Sequence, residues 1–142
     1  MRRRAVFLVA LFLCSSFACH MDERRSGLPA GAQTAIDDLT EEIAAGNFAQ
    51  VYADAAEEWR ANVSADENDK ILARVRDKLG RVQSRVPVSA IEQAQGAAGH
   101  TLQLSYNTKF ERADAVESFT LIEREGRWLL ARYTVNSDAL KP

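Results

Sequence analysis

Apolar residues recur in steps of three and four between residues 32 and 79, and in steps of two between residues 82 and 135. The chain therefore predicts helices first and strands afterwards. The first helical face carries Ala32, Ala35, Ile36, Leu39 and Ile43, with Asp37, Asp38, Glu41 and Glu42 on the opposite side. Gly46-Asn47 interrupts this face, and Asn47 with Gln50 has the spacing of a capping pair. A second helix follows, with the stripe Phe48, Val51, Tyr52, Ala55, Ala56 and Trp59. Ser64 and Glu67 repeat the start signal. The third helix buries Ile71, Leu72, Val75 and Leu79, gathers Arg74, Arg76 and Lys78 toward its C-terminal end, and stops at Gly80.

Beyond Gly80, Val82, Ser84, Val86, Val88 and Ala90 alternate with Gln83, Arg85, Pro87 and Ser89, a half-buried strand in which Pro87 implies an edge or a bulge. After a turn at 96–99, Leu102, Leu104, Tyr106, Thr108 and Phe110 share one face of the next strand, and Thr101, Gln103, Ser105, Asn107 and Lys109 share the other. Turns at 111–114 and at Glu125-Gly126 lead to strands over 115–123 and 127–135. The expected class is α+β, with three N-terminal helices packed on one face of a curved four-stranded antiparallel sheet.

The N-terminus has a different character. Arg2, Arg3 and Arg4 precede an apolar run over 5–14, and Ser15-Ser16-Phe17-Ala18-Cys19 follows, which is the pattern of a secretory signal peptide over 1–18. The stretch 5–18 has 14 residues, short of the roughly 20 that a membrane span needs. Ala18-Cys19 resembles the lipobox of bacterial lipoproteins, although Ser16 and Phe17 depart from its usual residues. That resemblance implies a lipid on Cys19, and His20 rather than Asp after it points to a periplasm-facing outer membrane lipoprotein. Cleavage at Ser16-Phe17-Ala18 by ordinary signal peptidase would instead give a soluble periplasmic protein with Cys19 as a free thiol.

Residues 19–28 read as a polar tether, lipid-anchored under the first reading, and 29–142 as the domain. Cys14 leaves with the signal, so the exported chain keeps only Cys19 and forms no internal disulfide. The formal net charge of −2 becomes −5 once the three N-terminal arginines are set aside. A mildly acidic domain without a basic stripe excludes nucleic acid as a partner.

Specific phrases carry a second resemblance. Ala45-Gly46-Asn47-Phe48 with Val51-Tyr52, Leu79-Gly80-Arg81-Val82 with Ser84-Arg85, the run 105–110, Val116-Glu117, and the run 125–130 with Tyr133 are similar to the nuclear transport factor 2-like (cystatin-like cone) superfamily. Within it they look most like small exported bacterial domains of unknown function. The resemblance spans 30–137 and implies a cone-shaped fold. It does not choose among isomerases, dehydratases, transport adaptors and binding modules.

A catalytic member of that superfamily needs a desolvated acid or base inside the cone. Glu117, which shares its alternation with Phe119 and Leu121, is the one candidate carboxylate, and Tyr106 and Tyr133 are its candidate partners. Glu117 could equally be paired with an arginine or lie exposed near its strand end, and the tyrosines could be core residues. Trp59, Tyr106, Glu117 and Tyr133 are therefore the candidate ligand-binding residues, with no catalytic residue assigned. His100 is the only histidine of the domain, expected at a turn, and no metal site or cofactor follows from it. The leading expectation is a non-enzymatic envelope lipoprotein that contacts a small apolar ligand or an envelope protein. The alternatives are a lyase or isomerase using Glu117 with Tyr106 or Tyr133, and a structural adaptor docking through an exposed sheet edge. The sheet also leaves room for a homodimer.

Overall fold

In the computed structural model, residues 27–96 and 99–141 are described, so the signal peptide, Cys19 and His20 lie outside them. Helix α1 (Ala32–Ala45) buries Ala32, Ile36, Leu39 and Ile43, the face its spacing predicts. It ends at Gly46, whose φ of 83° lets the chain leave in a left-handed turn. Helix α4 (Ala65–Leu79) starts on a complete capping box. The Glu67 amide donates to Ser64 Oγ at 3.3 Å, and the Ser64 amide donates to the Glu67 carboxylate at 3.0 Å. It buries Leu72, Val75 and Leu79, but Ile71 is exposed and Asn68 takes the buried place.

The expected second helix is two helices, α2 (Phe48–Asp54) and α3 (Glu57–Asn62), separated by Ala55 and Ala56 in extended conformation. A tertiary bond explains the break: the Ala56 amide donates to the Leu130 carbonyl at 2.8 Å instead of continuing a helical ladder. Arg60 closes the junction by donating to the carbonyls of Ala53 and Ala55. The Asn47–Gln50 capping pair does not form, since Asn47 donates to Glu42 and Gln50 to Asp54.

Four strands follow, β1 (Val82–Gly96), β2 (Gly99–Phe110), β3 (Asp114–Arg124) and β4 (Arg127–Asn136), in the order β1-β2-β3-β4 and all antiparallel. A short 3₁₀ turn (Asp138–Leu140) follows. The class is α+β, with the helices over one sheet face. Leu102, Leu104, Tyr106, Thr108 and Phe110 point to the helices, as the alternation of β2 predicts, and meet Phe119 and Leu121 of β3 and Leu130 and Tyr133 of β4 in one core.

The sidedness of β1 differs from the expectation. Val86 and Val88 are 61% and 58% exposed, whereas Arg85 points inward. Register shifts at Val82/Ser84 and Pro87/Ser89 move the strand's phase. A single extra residue exchanges the two faces of everything beyond it.

Candidate functional site: a buried arginine–glutamate network

Within the core, the four strands bring one charged pair and two hydroxyls together, and α1 adds a third. Arg85 pairs with Thr108 across β1 and β2, Tyr106 with Glu117 across β2 and β3, and Phe119 with Tyr133 across β3 and β4. Glu117 is fully buried, and Arg85 exposes 8% of its side chain. Arg85 Nε donates to Glu117 Oε2 at 2.8 Å and Nη2 donates to Oε1 at 3.3 Å. Thr108 Oγ1 donates to Oε2 at 2.6 Å, and the Tyr133 hydroxyl donates to Oε1 at 2.8 Å. Nη1 of Arg85 reaches Thr40 Oγ1 on α1 at 3.4 Å.

The guanidinium lies 5.9 Å from the Tyr106 ring centroid and 5.5 Å from that of Phe119, so the two aromatic faces also favour the cation. Burial pushes the Tyr133 hydroxyl well above its ordinary range, and the negative charge of Glu117 adds to that effect. Tyr133 stays neutral and donates. Beside Glu117 and Tyr133 the free space is about 10 Å³, close to the smallest volume that holds one water.

The structure thus gathers three of the four candidate ligand-binding residues: Glu117 and Tyr133 in direct contact, and Tyr106 flanking them with its hydroxyl 3.5 Å from Gln33. Trp59 stands apart, its indole N–H donating to Asn68 Oδ1 at 3.1 Å while Asn68 Nδ2 donates to the Phe48 carbonyl. Arg85, Thr108 and Thr40 are the members that sequence reasoning missed, as it missed Asn68 beside Trp59. Arg85 falls in the polar set of an alternating strand, and only the register toward Glu117 marks it as buried.

His100 also differs from the expectation of an isolated turn residue. It lies within β2, with Nε2 2.6 Å from Glu92 and Nδ1 2.5 Å from Glu123, its ring edge-on to Trp128 at 4.8 Å. Hydrogen bonds to Glu92 and Glu123 raise its pKa above the ordinary value. The carboxylates lie on opposite sides of the ring, and among the described residues no group of three histidine, cysteine, aspartate or glutamate side chains could hold a metal ion.

Two of the surface depressions formed by the described residues lie away from the network. One, of about 540 Å³ between α1, α2 and β4, is rimmed by Asp38, Glu42 and Asp54. The other, of about 870 Å³, runs across the outer sheet face over Ser89, Gln103, Ser105, Ser118, Thr134 and Arg132.

Fold and interior together define a small α+β domain with helices on one face of an antiparallel meander and a closed ionic network in its core. The chain belongs to the family described as "Protein of unknown function (DUF4019)", which matches residues 35–133. No curated protein matches the sequence. Among solved structures, a protein from Novosphingobium aromaticivorans DSM 12444 provisionally assigned as a scytalone dehydratase is 10% identical, with 75% of this chain and 81% of that chain covered at a TM-score of 0.47. A provisionally assigned aromatic ring hydroxylase, also from Novosphingobium aromaticivorans, is 10% identical, with 81% of this chain and 100% of that chain covered at a TM-score of 0.46.

Proposed function

We propose that the protein is a non-enzymatic binding or accessory domain of the bacterial envelope, held to the membrane by a lipid on Cys19 and recognising an envelope protein through the open face of its sheet. One observation carries the reading: both oxygens of Glu117 are occupied by donors from Arg85, Thr108 and Tyr133, and the carboxylate is fully buried. A general base must reach the proton it abstracts. This one has neither a free lone pair nor room beside it for a substrate. A lyase or isomerase built on Glu117 with Tyr106 or Tyr133 would have to dismantle the network first, and a small apolar ligand at Glu117 would meet the same packed surroundings.

Recognition then falls to the exterior. The outer trough offers hydroxyls and an amide from Ser89, Gln103, Ser105, Ser118 and Thr134, with the Arg132 guanidinium beside them. A lining this polar suits a protein partner better than a small ligand, whose sites are mostly apolar. The test is affinity capture of the tagged full chain from solubilised envelopes, comparing it with Gln103→Arg/Thr134→Arg, both exposed positions. The expected result is a co-purifying protein in stoichiometric amount that the double variant loses. Equal recovery from both, or a small molecule retained in the interior, would overturn the reading.

A further inference from the structure

The two edges of the sheet are treated differently. At β4 the edge is engaged, since the Ala56 amide bonds to the Leu130 carbonyl and α3 packs on the strand. At the other end, among the described residues, β1 pairs only with β2, which leaves a row of backbone donors and acceptors along its outer side. Three of the five exposed large apolar side chains among the described residues, Val86, Val88 and Ile91, lie on this strand. Bare edges are ordinarily guarded by charged side chains. Here Arg85 is turned inward to Glu117, and no other charge occurs between Ser84 and Ile91.

The register says which occupant fits. Arg85, Pro87, Ala90 and Glu92 stand opposite Thr108, Tyr106, Leu104 and Leu102, the set facing the helices, whereas Ser84, Val86, Ser89 and Ile91 stand opposite Lys109, Asn107, Ser105 and Gln103 on the outer face. Val88 is the extra residue at the shift between them. About a two-fold axis between Val88 and Ser89, antiparallel self-pairing sets Val86 against Ile91, Pro87 against Ala90, and Arg85 against Glu92. Facing residues of an antiparallel pair must point to the same side of the sheet. In an unbroken strand an axis between two residues would set inner against outer. The bulge removes that conflict, so the pairs 84/93, 85/92, 86/91 and 87/90 match face to face. The match is also chemical: exposed Val86 meets exposed Ile91 on both sides of the axis.

We propose that β1 is the interface with a second copy of this chain, the two sheets joining edge to edge into one continuous antiparallel sheet. Pro87 withholds one backbone donor, so the pairing is held by the residues on either side of it. The seam borders the recognition surface above at Ser89 and Ile91, but an edge junction leaves the rest of the outer face open.

Two experiments test it. Full chains carrying Val86→Cys and Ile91→Cys, each with a different tag, are co-expressed and oxidised in intact envelopes. Unsubstituted chains, which retain Cys19, set the background. The expected result is a mixed 86–91 disulfide dimer about tenfold above both the background and a Val116→Cys pair, since Val116 lies on the outer face away from the edge. The second is the mass of the detergent-solubilised protein in solution. Val86→Lys/Ile91→Lys replaces exposed side chains only, so it should keep its circular dichroism while its dimer dissociation constant rises about tenfold or more. A monomeric wild type, preferential cross-linking through Val116→Cys, or preferential links between two Val86→Cys chains would each overturn the proposal.

Discussion

Glu117 and Arg85 hold each other in a place where neither would be stable alone. Removing one partner of a buried ion pair leaves the other charge unpaired, whereas replacing both by apolar groups removes the desolvation penalty together with the attraction. Glu117→Gln should therefore lower the stability of the domain by about 3 to 5 kcal/mol, read as a fall in the urea midpoint. Arg85→Met/Glu117→Leu should lie closer to the wild type, and a double variant as unstable as the single one would show that packing rather than charge is at stake. His100 gives a second residue-scale prediction. Its two ring nitrogens face Glu92 and Glu123, and an imidazole can donate from both only when protonated. Its pKa is raised in the folded state. The stabilisation is thus complete below the ordinary histidine value of about 6.5 and is lost as pH rises through the higher folded value. The urea midpoint of the wild type should decline relative to that of His100→Gln over this rise. Parallel profiles for the two proteins would remove His100 as the cause.

Single elements show where sequence periodicity suffices. In β2 the alternation assigns Leu104 to the core and Gln103 to solvent, and the structure places Leu104 at 3% exposure with Gln103 on the open face. Leu104→Ala should cost about 2 to 5 kcal/mol, while Gln103→Ala should stay within about 0.5 kcal/mol, both by urea unfolding. Similar losses at both positions would mean that the outer face is covered, as a partner seated there would make it. α1, α4 and the four-strand meander are likewise legible, because their burial is one-sided and their ends carry local signals at Gly46, Ser64 and Gly80. The division between α2 and α3 is not, since it is decided by a carbonyl at Leu130 more than seventy residues away. Nor is the sidedness of β1, where the shift at Pro87/Ser89 and the attraction of Glu117 override the valine pattern. For the site, the inward placement of Glu117, Tyr106 and Tyr133 is visible in their alternation. Arg85 and the carboxylates around His100 become visible only once the strand register is known, because each contact joins different strands.

For the whole molecule, the proposed lipid on Cys19 would set how far the domain stands from the membrane, given where the chain enters the fold. Leu28 already packs against the core, and the Trp128 indole N–H holds the Ala30 carbonyl at 3.2 Å. The tether from Cys19 to Leu28 can therefore extend no more than about 30 Å. A lipid on Cys19 would confine the domain to a thin layer above the bilayer, where the effective concentration of a second copy exceeds that in the free periplasm. Stable anchoring takes more than one acyl chain, so the prediction concerns full lipoprotein modification of Cys19. Cys19→Ala should transfer the protein from the membrane fraction to the soluble periplasm. In the same cells it should reduce the yield of the mixed 86–91 disulfide, because the copies are no longer concentrated in one plane. Fractionation and immunoblotting read the first effect, and the cross-link yield per chain reads the second. A wild type that is already soluble, with an unmodified Cys19 at its N-terminus by mass spectrometry, would refute the anchor. An unchanged cross-link yield in the released protein would show that the edge pairing is strong enough to form without it.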